Sequence, residues 1–580
     1  MRDLATPLKW VWPAADVEGD VAARLSKELG LHPLAARVLA NRGYQTPEAA
    51  QGFLSDALTG LPDPFLMKGL PAAVERILRA IDRQEQVTLW GDYDVDGVCS
   101  TALLTTFLRD VGLTPKTYIP HRLGEGYGLN STAIEKLATE GTQLLVTLDC
   151  GITSHAEIAK ANALGLEVIV VDHHAVPETM PPAVAVLNPL QPGCAYPTKW
   201  LCAGGVTFNL CMALRKSLRE RGHFSTRPEP NLKQLLDLVA LATVADVVPL
   251  TGANRILVRH GLEILTAAAR PGVRALKEVS QLSGARMTAG HVGFRLGPRI
   301  NAAGRLDDAS VGLQLLLCRD LETARPLAQK LDAANAERQQ IERNMLQGAI
   351  DQAQGFVDRG AKGLVLAQEG WHPGVVGIVA SRVVERFHRP TVLIGSHDGT
   401  WRGSARSIEG FHLYDALKTC EGFLTKFGGH KAAAGLSIDP SRLEEFRAAF
   451  ENVTGERLTD EQLVPRQRVD AVVLPRELDV KAVEALQTLA PFGMGNPEPV
   501  LAVRRAVTSP RVLENKTPGL PGHLKLSLEA APQLDCIGFG FAELAPLTEA
   551  PVDLAFQVAV DEYLGRERVG LKLKALQATP

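Results

Sequence analysis

Five short apolar, β-rich runs punctuate the first half of the chain, at residues 87–90, 116–119, 144–148, 168–171 and 184–187. Several are separated by segments with helical spacing, at 100–110, 133–139 and 156–164. This alternation predicts a mostly parallel, doubly wound sheet. Upstream, residues 20–85 read as short helices, with 29–41 one helix and 72–81 another after Pro71. Residues 322–356 are dense in Ala, Gln, Glu, Leu and Arg, with Pro326 near the start and Gly348 further on as interruptions. That predicts a helix about 45–50 Å long, a spacer rather than a coiled coil because no clean heptad runs through it. A second α/β unit starts at 363–367, with strands at 391–394 and 434–438. Beyond residue 461, the runs 523–528, 535–541, 554–560 and 569–576 alternate apolar and polar positions between Gly and Pro turns. They predict a small β-barrel or sandwich.

The expected organisation is a helical segment at 1–85 packed on a first α/β domain at 86–320, a connecting helix at 321–358, a second α/β domain at 359–460 and an all-β domain at 461–580. With 580 residues, 46% hydrophobic and 22% charged, the chain has the composition of folded domains rather than disorder. The net charge of −3 argues only weakly against a polyanionic partner. Charge distribution decides that question, and bound cations would add positive potential. The eight cysteines include no C-x-x-C pair, so neither a zinc nor a disulfide framework is indicated and a reducing cytoplasm fits. Without a leader-like or membrane-spanning apolar run, a soluble cytoplasmic protein is expected, with no membrane partner.

Gly91-Asp92-Tyr93-Asp94-Val95-Asp96-Gly97 places carboxylates on alternate positions directly after the first run. A polar turn would use the same residue types. Like charges this close repel unless protons or cations neutralise them, which suggests divalent metals. A pair of metals is a recurrent device for attacking phosphate esters. Asp149 and His173-His174 also follow apolar runs, and Asp246 follows the helical run 235–243. Parallel sheets bind ligands at the carboxyl ends of their strands, so these residues become candidates for one site. Carboxylate oxygens with an imidazole suit Mn²⁺ or Mg²⁺. Two small-residue loops, 403–407 and 428–431, combine glycine with Arg406, His430 and Lys431. Their backbone amides and cations could converge on phosphate oxygens, and Arg299, Asn301 and Arg305 are further phosphate candidates.

Asp94-Val-Asp96-Gly97, Thr147-Leu-Asp149-Cys-Gly151, Val171-Asp172-His173-His174 and Ala245-Asp246-Val-Val-Pro249 occur in the order of the motifs of the DHH phosphoesterase family. With Gly297-Pro-Arg299-Ile-Asn301-Ala-Ala-Gly304-Arg305, they resemble that family's single-strand-specific 5′→3′ DNA exonucleases. Trp371-His372-Pro373-Gly374 through Ser381-Arg382, and Phe427-Gly428-Gly429-His430, resemble the DHH-associated domain. Pro491 to Pro499 resembles the lead-in to an oligonucleotide-binding (OB) barrel, and the likeness covers nearly all of residues 30–576.

The resemblance implies two ions, Mn²⁺ or Mg²⁺. Asp94 and Asp149 would hold one; Asp96, Asp149, His173 and Asp246 would hold the other, with Asp149 bridging. His174 would face the scissile phosphate, and Asp92 would be a ligand or an outer partner. The residues matched to phosphate binding are Arg122, Arg299, Asn301, Arg305, His372, Ser381, Arg382, Ser404, Arg406, Gly428, Gly429 and His430. The implied substrate is single-stranded DNA with a free 5′ end, cut to 5′-mononucleotides in recombination and repair. A single-strand-binding protein and a RecQ-type helicase are the implied partners. The alternative is a DHH phosphodiesterase acting on short oligonucleotides or cyclic dinucleotides. The residues after 461 favour a polymer, since OB barrels track strands. A catalytically dead scaffold would have no reason to cluster carboxylates.

Overall fold

The computed structural model describes residues 8–13, 19–121, 125–126, 128–306, 308–397, 399–515, 520–563 and 566–579. These form two units: Phe53–Glu337 with Ala490–Pro497, and the described residues up to Gly52 with Arg338–Leu489 and those from Glu498 onward.

The first unit is built on a parallel sheet of β1 (Val87–Gly91), β2 (Lys116–Tyr118), β3 (Leu144–Leu148), β4 (Glu167–Val171) and β5 (Ala185–Leu187). Its order is β2-β1-β3-β4-β5. Every residue of β1 and β3 is buried, as strands covered on both faces require. The order reverses between β1 and β3, so the connections leaving them diverge and open a crevice at their carboxyl ends. Helix α1 (Val95–Asp110) starts in that crevice. It packs against α2 (Ala203–Glu220) and α3 (Leu236–Ala245). Helix α3 is apolar nearly all round and buried from Leu236 to Thr243, so it forms core rather than surface.

The second unit holds a five-stranded sheet ordered Lys426–Gly429, Ala433–Ile438, Thr400–Arg406, Thr391–His397, Leu364–Gln368. Only the last pair is parallel. It also holds the seven-stranded C-terminal sheet, ordered Ala471–Val472, Leu501–Ala506, Val552–Tyr563, Arg566–Ala578, Ala531–Gly538, His523–Leu528, Thr508–Leu513. The long helix runs Leu321–Asp358, and the division between units falls within it, after Glu337. Among the described residues, no helix is long and apolar enough to cross a membrane.

Three sequence expectations are corrected here. Residues 29–41 are not one helix. The first helix, Asp20–Leu29, ends on left-handed Gly30 (φ 64°), and the next, Pro33–Asn41, starts on a proline with His32 as its cap. The N-terminal segment 1–85 does not pack as one piece on the catalytic domain. Strand Lys9–Val11 pairs with Arg466–Arg468, while Arg37 and Arg42 pair with Glu477 and Asp470, each at 2.8 Å. Residues 403–406 belong to strand Thr400–Arg406 rather than a loop, because the Gly-Ser-Ala run fits between two neighbouring strands.

Candidate active site

Asp94 caps α1. Its Oδ1 accepts hydrogen bonds from the Asp96 and Gly97 amides at 2.9 and 3.1 Å. The turn is held from outside by Asn301, whose Oδ1 accepts from the Val95 amide at 3.1 Å. Gly304 lets its helix, Gly297–Leu306, approach: a Cβ there would lie 2.5 Å from the Tyr93 carbonyl oxygen. Asp96, fully buried, accepts at its two oxygens from the Ala203 and Gly204 amides, both at 2.7 Å. These open α2, so the carboxylate sits on a helix N-terminus, where the dipole favours negative charge. Asp149 follows β3 with φ 67°, a left-handed conformation that Asp tolerates better than most side chains. Asp246 caps the end of α3.

These elements bring the side chains together. The His173 Nε2 lies 3.2 Å from Asp149 Oδ1, 3.5 Å from Asp246 Oδ2 and 3.7 Å from Asp96 Oδ2. Three overlapping sets have ligand atoms within 4.8 Å of one another: Asp92, Asp94 and Asp149; Asp96, His173 and Asp246; and Asp149, His173 and His174. Burial, reinforced by the Asp94 charge, pushes the Asp96 carboxyl up to about 7 despite its backbone donors. Burial and then the charge of Asp96 also raise Asp149 and Asp246 well above the ordinary carboxylate range. Carboxylates crowded beyond what their surroundings compensate, with an imidazole nitrogen aimed among them, are a donor set that fits divalent cations.

Asp172 is a residue that the sequence reading passed over. It is fully buried, and its Oδ1 accepts from the His173 amide at 2.7 Å, from the His174 amide at 3.1 Å and pairs with His174 Nδ1 at 2.7 Å. Its Oδ2 accepts from the Ile152 amide at 3.0 Å. Burial alone would raise this carboxyl, but the His174 contacts and backbone donors bring it below the ordinary range. Burial opposes the charge on His174, yet Asp172 raises its pKa. Its sequence signal was its place beside the two histidines. The Ala203-Gly204 amides had none, because no side chain marks them.

In the second unit, Ser404 and Arg406 lie on one strand, and Arg406 Nη1 donates to Ser404 Oγ at 2.7 Å. Ser404, Gly435 and Gly428 form one row across three strands. A Cβ on Gly377, in the first turn of helix Val376–Phe387, would lie 2.9 Å from Arg406 Nη2. Gly429 ends its strand, and the amide of His430 donates to the Ala433 carbonyl at 2.8 Å. His372 caps a turn through its Nδ1, and Ser381 donates to the Gly377 carbonyl. Arg382 is engaged by Glu342 and Glu385, and Arg299 by Asp332 and the Arg295 carbonyl. With Asn301 bonded to Val95, these three hold protein atoms. Arg305 is half-buried near the end of its helix, and Arg122 lies outside the described residues.

Known proteins resemble this chain in sequence and fold. Residues 86–243 match the DHH family, N-terminal domain; 360–456 the DHHA1 domain; and 469–575 the RecJ OB domain. A single-stranded-DNA-specific exonuclease RecJ from Dickeya dadantii is 42% identical over 563 residues, covering 94% of this chain and 96% of that protein. The chain belongs to the RecJ family. Its Escherichia coli relative of the same name is 39% identical over 565 residues, with 94% and 96% covered. A RecJ crystal structure with Mn²⁺, from Thermus thermophilus, superposes with a TM-score of 0.84 at 32% identity, covering 100% of this chain and 80% of that one. The family's fold is therefore two α/β domains followed by an OB domain, as the sequence predicts.

Proposed function

We propose that this chain is a metal-dependent exonuclease that degrades single-stranded DNA from a free 5′ end, hydrolysing phosphodiester bonds to release 5′-mononucleotides. The observation that carries this reading is the set of carboxylates around His173, raised by burial and then by one another's charges, at the mouth of a parallel sheet. Asp94 and Asp149, with Asp92 beside them, would hold one Mn²⁺ or Mg²⁺; Asp96, Asp149, His173 and Asp246 would hold the second. Bound there, two cations polarise phosphoryl oxygens and make water a nucleophile at neutral pH.

The protein's own groups do the rest. His174, its charge favoured by Asp172, donates to a phosphoryl oxygen as negative charge builds there. Ser404, Arg406, Gly428, Gly429 and His430 take phosphate groups of the strand, with open backbone at the glycines and a cation alongside. The OB domain holds more of the strand through basic and stacking contacts, which favours a polymer over a dinucleotide. The cellular setting is recombination and repair in the cytoplasm, where a single-strand-binding protein and a RecQ-type helicase would supply the strand.

The test is digestion, in Mn²⁺, of a single-stranded oligonucleotide labelled at one end or the other. Mononucleotide released at once from the 5′ label, with a shortening ladder from the 3′ label and no products in chelator, is expected. Release from the 3′ end, or turnover of dinucleotides alone, overturns the reading.

A further inference from the structure

Asp149 belongs to two of the ligand sets, with Asp92 and Asp94 on one side and with His173 and His174 on the other. Its backbone is strained for a residue that carries a side chain: φ is 67°, and Gly151, two residues on, stands at φ 105°. The charges of Asp96, Asp94, Asp92 and Asp246 all oppose its own. The turn must therefore be held against both strain and repulsion. Its two ends are tied to β4 and the residue after it. The Asp149 amide donates to the Val171 carbonyl at 2.9 Å, and the Ile152 amide donates to Asp172 Oδ2 at 3.0 Å.

The middle of the turn is held by a residue with no part in the ligand sets. Thr147 Oγ1 donates to the Cys150 carbonyl at 2.8 Å, and both residues are fully buried. Thr147 is the polar member of β3, Leu-Leu-Val-Thr-Leu, a strand buried along its whole length. A hydroxyl placed there is costly unless it finds an acceptor. Strand preference alone would be met as well by valine, which has the same shape. Gly151 fits the same bond: a Cβ there would lie 2.6 Å from Thr147 Oγ1. Other buried threonines bond back along their own helices, Thr101 to the Gly97 carbonyl and Thr243 to the Val239 carbonyl, acceptors that any helix offers. The Thr147 bond instead spans the turn that carries a ligand.

Resting on the metal-dependent nuclease reading, we propose that Thr147 is a positioning residue for metal binding, its hydroxyl locking the 149–151 turn so that the Asp149 carboxylate stays between the two groups of ligands. Without that bond the turn keeps its ends but loses its central tie, and the crowded carboxylate swings away from its neighbours. The cations would then have to draw it back at the expense of their own affinity.

The experiment uses the full chain and its Thr147→Val and Thr147→Ser variants. Electron paramagnetic resonance of free Mn²⁺ counts bound ions without turnover, and digestion of a single-stranded oligonucleotide supplies kcat and KM. Thr147→Val should weaken Mn²⁺ binding by about tenfold or more, as loss of a ligand's support commonly does. Its KM for the strand at saturating Mn²⁺ should hold, and its kcat should recover as Mn²⁺ is raised. Thr147→Ser keeps the donor and should restore the parent's affinity. If Thr147→Val lowers the melting temperature but binds Mn²⁺ as the parent does, the hydroxyl serves the fold alone and the proposal is wrong. A parent that binds Mn²⁺ but cuts no DNA sinks the nuclease reading and leaves the positioning role standing; a parent that binds no Mn²⁺ overturns both. Should Thr147→Val not fold, Thr147→Ala removes the hydroxyl without pressing a methyl on the Cys150 carbonyl. If neither folds while serine does, the role is structural and the proposal fails.

Discussion

The two polar clusters of this protein are assembled on opposite principles. Around His173, like charges are buried together and their pKa values rise, so the protein alone leaves the cluster under-compensated. In the second unit, Arg406 is bonded to Ser404 and the Ala405 carbonyl, while Arg382 is held by the carboxylates of Glu342 and Glu385. The first cluster has to be completed by cations. The second already satisfies Arg406 from within, so on the proposed function it would exchange protein partners for phosphate. A site that binds tightly and reacts is one whose chemistry the fold has left unfinished, whereas a site that guides a polymer can be nearly neutral in energy.

Removing the charge at the centre of the first cluster should have the largest effect. Asp149→Asn keeps the shape and tolerates the left-handed backbone, so turnover should fall by on the order of a thousandfold or more while the melting temperature holds. Residual activity close to the parent's in saturating Mn²⁺ would remove Asp149 from the bridging role. Asp172→Asn comes next. It keeps the volume but releases the His174 imidazole, and loss of such a support commonly costs about 10–100-fold in metal affinity or activity. Nuclear magnetic resonance should show His174 losing its proton at a lower pH than in the parent; an unmoved titration would contradict the pairing.

In the self-satisfied cluster the effect should be smaller. Arg406→Ala should raise KM for oligonucleotides about tenfold and make the slope of log affinity against log salt shallower by about one, because one phosphate contact is lost. An unchanged slope would assign Arg406 to the fold alone. The smallest effect sharpens the contrast through pH. Asp96 has a folded-state pKa raised to about 7, so its contribution to stability is present below the unfolded value near 4 and is lost as pH rises through 7. Asp149 and Asp246 shift in the same direction. The metal-free protein should therefore melt lower at pH 8 than at pH 5.5. The stabilisation from Mn²⁺ should grow over that range to on the order of 5 °C. A metal increment independent of pH would break the link between crowding and cation binding.

The acidic centre was legible in the sequence because its signals are local. Strands buried on both faces read as apolar runs; Asp94, Asp149 and His173 stand just beyond the ends of such runs, and Asp246 ends an apolar helix. The second cluster was less so. Gly403-Ser404-Ala405 has the small residues of a loop, and only the neighbouring strands make it a strand. The partners of Arg299 and Asn301, namely Asp332 and the Val95 amide, lie far away in sequence, and no spacing announces them. The break at Gly30 and Pro33 could have been read, since both are ordinary helix punctuation. The pairing of Lys9–Val11 with Arg466–Arg468 could not.

That last pairing bears on how the chain is made. The helix Pro33–Asn41 buries Leu34, Val38 and Leu39; besides the preceding helix Asp20–Leu29, it packs on Ala471–Val472 and helix Val480–Gln487. A ribosome releases the helix first and those partners only after most of the chain has been synthesised. Throughout that interval the part of its apolar face that packs on those late elements lacks its native cover. The last steps of folding thus include closing a loop of several hundred residues, a slow kind of contact that leaves intermediates open to aggregation and proteolysis. A fold whose first segment waits for its last ties the quality of the whole product to the completion of translation.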